Sequence, residues 1–263
     1  MKRFRYAYEF FVVLMLLLFA HAFYWIFLHS PMEAQMGIVQ KIFYFHVPSA
    51  ISMFLGLSVC AGSSVIYLVF SRRKKGRGLW AGINNFFVER RDNVDALARS
   101  GAELGLIYAS IVLVTGPLWG RKAWGTYWEW DPRLTLTLLV FLIYVAYLFL
   151  RAFAAESESR KRIAAGLGAL GFADVPLIHY AVQMWGGTHP NVMGKGGGGI
   201  KDPTMQAAFM ISMATMYIMF GLLLYTRYSI ERQQVELDRA YARLIDYELG
   251  EPPVVAASAK PSQ

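Results

Sequence analysis

Trp119-Gly120-Arg121-Lys122-Ala123-Trp124-Gly125-Thr126-Tyr127-Trp128-Glu129-Trp130-Asp131-Pro132-Arg133-Leu134-Thr135 is the stretch around which the chain is organised. It gathers four of the seven tryptophans, among glycines and charges of both signs. Apolar runs close in on it from both sides. Tryptophan and tyrosine collect where a membrane meets water, because the ring is apolar and its polar tip is not. An interfacial belt, however, needs only scattered aromatics. Four tryptophans on a glycine-punctuated loop ending in an acid and a base read instead as a platform. Its ligand would be large, flat and apolar, with charged edges.

The apolar runs set the fold class. Of 263 residues, 56% are hydrophobic and 15% aromatic, and several uncharged runs are long enough to span a bilayer. Lipid offers no partner to a backbone N–H or C=O, so such runs cross as helices. The reading is an all-α polytopic membrane protein with six transmembrane helices, near 9–28, 49–70, 96–117, 134–152, 163–184 and 205–226. The first run follows Met1-Lys2-Arg3-Phe4-Arg5, like the basic start of a signal peptide. It lacks a small-residue cleavage site and reads as a retained span. The tryptophan loop, about 118–135, joins the third and fourth spans. Asp95, Arg99 and Glu103 place the first turns of the third span at the interface or against protein. Glycine and alanine early in the fifth span suit close helix packing. These spans make a membrane domain over 1–228. A polar helix with a modest apolar stripe follows over 229–249, and a Pro/Ala/Ser tail over 250–263 reads as disordered.

Charge gives the orientation. The net charge of +8 comes from 26 basic and 18 acidic residues. On a soluble chain that excess points toward nucleic acid. Here the Lys and Arg cluster at the N-terminus, in the 71–91 and 151–162 loops and beyond the last span, as they do in cytoplasmic loops. Nucleic acid is therefore not an expected partner; the lipid bilayer is. Both termini are expected in the cytoplasm, with the tryptophan stretch, His46 and the end of the fifth span on the outer face. The single cysteine, Cys60, lies in an apolar run and reads as a packing residue. Metal chemistry would need His, Met or acidic ligands.

His46 opens the second span on the outer side and His179 closes the fifth. Imidazole is a common axial ligand of haem iron, and stacked aromatics with basic groups can hold the macrocycle and its propionates. Lys41, Arg121, Lys122 and Arg133 are the candidate propionate partners. The residues alone leave a second reading open: an interfacial tryptophan girdle with structural histidines. His21 and His29 read as packed or interfacial. His189 reads as a supporting group or an alternative ligand. Asp131 is expected to pair with Arg133 or to cap the next helix. The Gly196–Gly199 run lacks the phosphate-loop pattern. No Ser–His–acid or paired-carboxylate arrangement stands out, so no conventional catalytic residue is assigned.

Trp119-Gly120-x-x-x-Trp124-Gly125-x-x-Trp128-x-Trp130-Asp131-x-Arg133-Leu134-Thr135 resembles the WWD motif of the haem-handling cytochrome c biogenesis proteins of the CcmC, CcmF and CcsA types. Phe45-His46-Val47-Pro48-Ser49-Ala50, Pro176-Leu177-Ile178-His179-Tyr180, the length and the span count look like the six-span CcmC type of the bacterial System I pathway. The resemblance covers about residues 10–226. It implies that His46 and His179 are axial ligands of a b-type haem. It implies that Trp119, Trp124, Trp128, Trp130 and Asp131 form the platform, and that Arg133 and Lys41 meet propionates. It further implies a site facing the periplasm from the bacterial inner (cytoplasmic) membrane. The family's role is to hold haem there and promote its attachment to a histidine of the haem chaperone CcmE. CcmA, CcmB and the small CcmD then drive release of the loaded chaperone. Whether such haem lyase-like presentation counts as enzymatic is a matter of definition. The alternative is a CcsA-type haem exporter or cytochrome c synthase subunit that moves haem across the membrane. The polar C-terminal helix, the tail and the Gly196–Gly199 run depart from the family pattern.

Overall fold

The computed structural model describes residues 2–70, 78–153, 157–187, 189 and 200–248. Six helical segments are long and apolar enough to cross a membrane: Tyr8–His29, Ile38–Val69, Arg91–Trp124, Pro132–Phe153, Glu158–Trp185 and Pro203–Ile245. No β-strand occurs among the described residues. The six-span all-α reading of the apolar runs is therefore the observed architecture.

The helices are α1 (Lys2–Tyr24), closed by a wide turn over Trp25–His29, then α2 (Phe43–Val69), α3 (Leu79–Glu89), α4 (Arg91–Trp124), α5 (Pro132–Phe153), α6 (Glu158–Gly171), α7 (Asp174–Trp185) and α8 (Pro203–Glu248). Four boundaries differ from the sequence reading. A short tight helix over Ile38–Ile42 runs straight into α2, so the second span starts well before Ser49. Part of the 71–91 basic loop is helical, as α3. The fifth span is broken at Phe172–Ala173 into α6 and α7. Finally, α8 runs unbroken for 46 residues through the 228/229 boundary. At 1.5 Å per residue it is about 69 Å long, more than twice a bilayer core of roughly 30 Å. The 71–77 basic run, the Gly196–Gly199 run and the 250–263 tail lie outside the described residues.

Helices α2 and α4 form the centre of the bundle. In lipid, burial of apolar surface gives helices little reason to associate, so close packing must supply it. Gly101 and Gly105 repeat at a four-residue spacing on α4 and face Gly56 of α2. A Cβ on Gly56 would stand 2.6 Å from the Gly105 nitrogen and 2.9 Å from the Gly101 carbonyl oxygen. The two backbones therefore touch. Met53, Leu57 and Cys60 of α2, Ala98, Ala102 and Tyr108 of α4, and Val140, Tyr144 and Tyr147 of α5 fill the core around this contact.

Proline interrupts the hydrogen-bond ladder of α2 where it meets α8. Pro48 has no N–H, so the Tyr44 carbonyl loses its helical donor. The Ser212 hydroxyl of α8 donates to that carbonyl. A polar group freed in an apolar surrounding is thus satisfied by a neighbouring helix.

The end of the bundle opposite the tryptophan stretch is held by ion pairs. Arg151 of α5 donates through both terminal nitrogens to Asp95 of α4, at 2.5 and 2.8 Å, with both side chains buried. Arg227 of α8 reaches Glu103, and Arg99 reaches Glu231 at 3.1 Å. Asp95, Arg99 and Glu103 accordingly face protein, one of the two placements their charge allowed.

Candidate functional site

His46 lies on the first turn of α2, which brings its ring against α4. Its Nδ1 stands 2.9 Å from the Thr115 hydroxyl, and that hydroxyl donates to the Ile111 carbonyl at 2.6 Å. The next residue, Gly116, leaves room for the ring: a Cβ there would sit 3.4 Å from His46 Cε1. Neither Thr115 nor Gly116 was singled out from the sequence. The available signal was a Thr-Gly-Pro triplet inside a helix just before the tryptophan stretch.

That stretch is only partly a loop. Helix α4 continues through Trp124, and Gly125 ends it with φ 82°, the left-handed conformation that suits a glycine. Trp119 and Trp124 therefore project from a helix, edge to face at 5.5 Å. Trp128 and Trp130 follow on the connection to α5, in the same geometry at 5.7 Å. Asp131 closes the connection. Its Oδ1 accepts from the Arg133 backbone N–H at 2.8 Å, and Pro132 follows at the first helical position. Asp131 is thus the N-cap of α5, as its position before the fourth span led one to expect.

Arg133 ties α5 to the end of α7. One terminal nitrogen donates to the His179 carbonyl at 3.2 Å and the other to His189 Nδ1 at 3.1 Å. His189 also lies beside Trp124, 6.2 Å between ring centres. The His179 ring rests edge-on against Tyr180 at 4.8 Å.

These groups meet in a cavity of about 470 Å³, within the usual range for a small-molecule or cofactor site. His46, His179 and His189 all line it, as do Trp119, Trp124, Trp128 and Arg133. Apolar side chains of α2, α4 and α7, including Phe54, Val112 and Ile178, complete the walls. Three of the other expected site residues lie elsewhere. Trp130, 75% exposed, and Asp131 border a shallower hollow with Trp185 and Gly187. Lys41 is buried away from the cavity, where its ammonium donates to the Ile26 carbonyl and to that of Ser30, the latter at 3.0 Å. It caps the end of the first span, a role basic side chains take at free carbonyls. Of the other basic candidates, Arg121 donates to the Gly125 carbonyl at the end of its own helix. His21 and His29 both contact Trp25, outside the cavity.

The cavity is mostly apolar, with Arg133 and three histidines among the polar residues of its lining. Trp128 Nε1 and Arg133 Nε are buried without a hydrogen-bond partner among the described residues. Buried donors are nearly always satisfied, because leaving one unpaired costs about 1–3 kcal/mol. Both belong to residues that line the cavity, but the two atoms themselves have no exposed surface there, so a ligand acceptor would reach them only after the side chains shift. A planar apolar ligand with carboxylates at one edge, and an atom able to bind imidazole, matches this donor set. Haem has these features. Among the described residues no cluster of His, Cys, Asp and Glu could hold a bare metal ion.

Comparison with known proteins points the same way. The sequence model of the family described as CcmC, heme exporter protein C, matches residues 79–243. The chain is 33% identical over 200 residues to "Heme exporter protein C" of Bradyrhizobium diazoefficiens, covering 75% of this chain and 66% of that one. Identity to "Heme exporter protein C" of Paracoccus denitrificans is 30% over 211 residues, covering 78% and 79%. A "Putative cytochrome c biosynthesis ccmC-like mitochondrial protein" of Marchantia polymorpha is 27% identical over 215 residues, covering 81% of each chain. The match spans just under two thirds of the Bradyrhizobium relative.

Proposed function

Given that the chain belongs to the CcmC, heme exporter protein C, family, we propose that it handles haem in cytochrome c biogenesis, binding it in the cavity between His46 and His179. The single observation that carries this reading is the joint lining of one apolar cavity by both histidines, Trp119, Trp124, Trp128 and Arg133.

The division of labour follows from the chemistry of each group. His46 and His179 supply neutral imidazoles to iron. The tryptophans cover the macrocycle with rigid apolar surface. The Arg133 guanidinium meets carboxylate at the polar side of the cavity, where a charge-assisted hydrogen bond is strongest. Bound this way, haem is held in orientation, and proximity supplies much of any gain in rate for its attachment elsewhere. The protein positions its cargo; no side chain is asked to break a bond.

In this proposal the cavity faces the periplasm from the bacterial inner membrane. A b-type haem is presented to the haem chaperone CcmE, whose histidine forms the covalent link. The CcmA and CcmB transporter subunits and CcmD complete the assembly. The polybasic 71–91 segment and the basic residues after the sixth span support this orientation.

The test is the absorption spectrum of the full chain purified with haem. His46→Ala and His179→Ala are each expected to lose haem or to change the bands that report axial ligation. Wild-type spectra in both variants would sink the assignment.

A further inference from the structure

We propose that Thr115 is a positioning residue that fixes the tautomer of His46, so that Nε2 carries the lone pair offered to iron. The proposal rests on the reading of His46 as a haem ligand. A threonine hydroxyl has one proton. Thr115 gives it to the Ile111 carbonyl at 2.6 Å. Its oxygen also stands 2.9 Å from His46 Nδ1, and with its proton committed it acts there as acceptor. Nδ1 must then bear the ring hydrogen, which leaves the lone pair of the neutral ring on Nε2. The close approach of Gly116 to Cε1 sets the same ring edge against α4.

His179 is held differently. Its backbone carbonyl, not its ring, takes the Arg133 hydrogen bond. The ring has an edge contact to Tyr180 and no hydrogen bond among the described residues. The two histidines are therefore unequal. His46 is fixed in orientation and tautomer, and His179 is the more readily exchanged. A histidine that donates its second ring N–H is a better metal ligand, and losing that partner typically weakens metal binding about 10–100-fold.

The first measurement needs no haem. In the full chain in detergent, labelled with nitrogen-15 histidine at about pH 8, where a free imidazole is neutral, the His46 signals are those lost in His46→Ala. They are expected to show a protonated Nδ1 in wild type and in Thr115→Ser. In Thr115→Val, which keeps the shape and removes the hydroxyl, the proton should move wholly or partly to Nε2. The haem-loaded protein gives a second readout. Thr115→Val should release haem to an external acceptor about tenfold faster and raise the reduction potential, and Thr115→Ser should restore both. A wild-type His46 protonated on Nε2, or a tautomer unchanged in Thr115→Val, overturns the role of Thr115 alone. An unaltered haem spectrum in His46→Ala overturns the ligand reading on which that role depends.

Discussion

The Asp131 carboxylate accepts the backbone N–H of Arg133 at 2.8 Å, which makes the acid of the tryptophan motif a helix cap. Asn caps as well as Asp, whereas Ala costs about 1 kcal/mol. Asp131→Asn should therefore keep the thermal midpoint and haem retention near wild type, and Asp131→Ala should lower the midpoint. A folded Asp131→Asn protein that loses haem would show that the charge itself faces the ligand.

Arg133 carries a different burden. It joins the His179 carbonyl to His189 and keeps a buried Nε unpaired. Arg133→Ala is expected to weaken haem retention roughly tenfold or more, the scale of one hydrogen bond to a charged group. Arg133→Lys keeps the charge but not the planar fork, and should fall between. Competition by a haem-binding acceptor measures all three proteins.

At the other end of the bundle, Asp95 and Arg151 form a buried bidentate pair. Removing one partner strands a charge, at a cost of roughly 3–5 kcal/mol. Asp95→Ala should thus unfold at markedly lower denaturant than wild type. Replacing both partners with leucine should recover much of the loss. Equal destabilisation by the single and double variants would contradict this account.

Gly56 and Gly62 share α2 but not surroundings. A Cβ on Gly56 would strike the α4 backbone, and one on Gly62 would meet nothing within 4 Å. Gly56→Ala should cost about 1–3 kcal/mol through overpacking, and Gly62→Ala should be near neutral. Parallel unfolding curves in detergent check the contrast.

How much of this was legible in the sequence differs by scale. The spans were readable because lipid forces an uncharged run to be a helix, whatever its neighbours do. The cap at Asp131 was readable because capping is local. The end of α4 at Trp124 was not. A run of Gly, Arg and Lys looks like a loop, yet α4 carries residues 118–124 as about two more helical turns before Gly125. The break at Phe172–Ala173 was equally hidden, since apolar residues run through it and only packing decides where the helix restarts. Gly101-x-x-x-Gly105 is legible in the sequence as a close-packing signal, but nothing in it names α2 as the partner; Gly56 is found there only in the fold. Lys41 shows the limit at the site. Its charge near His46 made it a propionate candidate, and only the folded chain shows its ammonium turned toward carbonyls of the first span. Thr115 was out of reach for the same reason: its partner lies on another helix.

His46 and His179 line one cavity and are proposed to ligate haem iron together there. Near-infrared magnetic circular dichroism of the oxidised, haem-loaded full chain reads the axial pair directly. Wild type is expected to show the bis-imidazole band, and His46→Gly and His179→Gly should each lose it and regain it with added imidazole. A wild-type band of any other ligand pair, or a bis-imidazole band that survives in either variant without imidazole, would contradict the account.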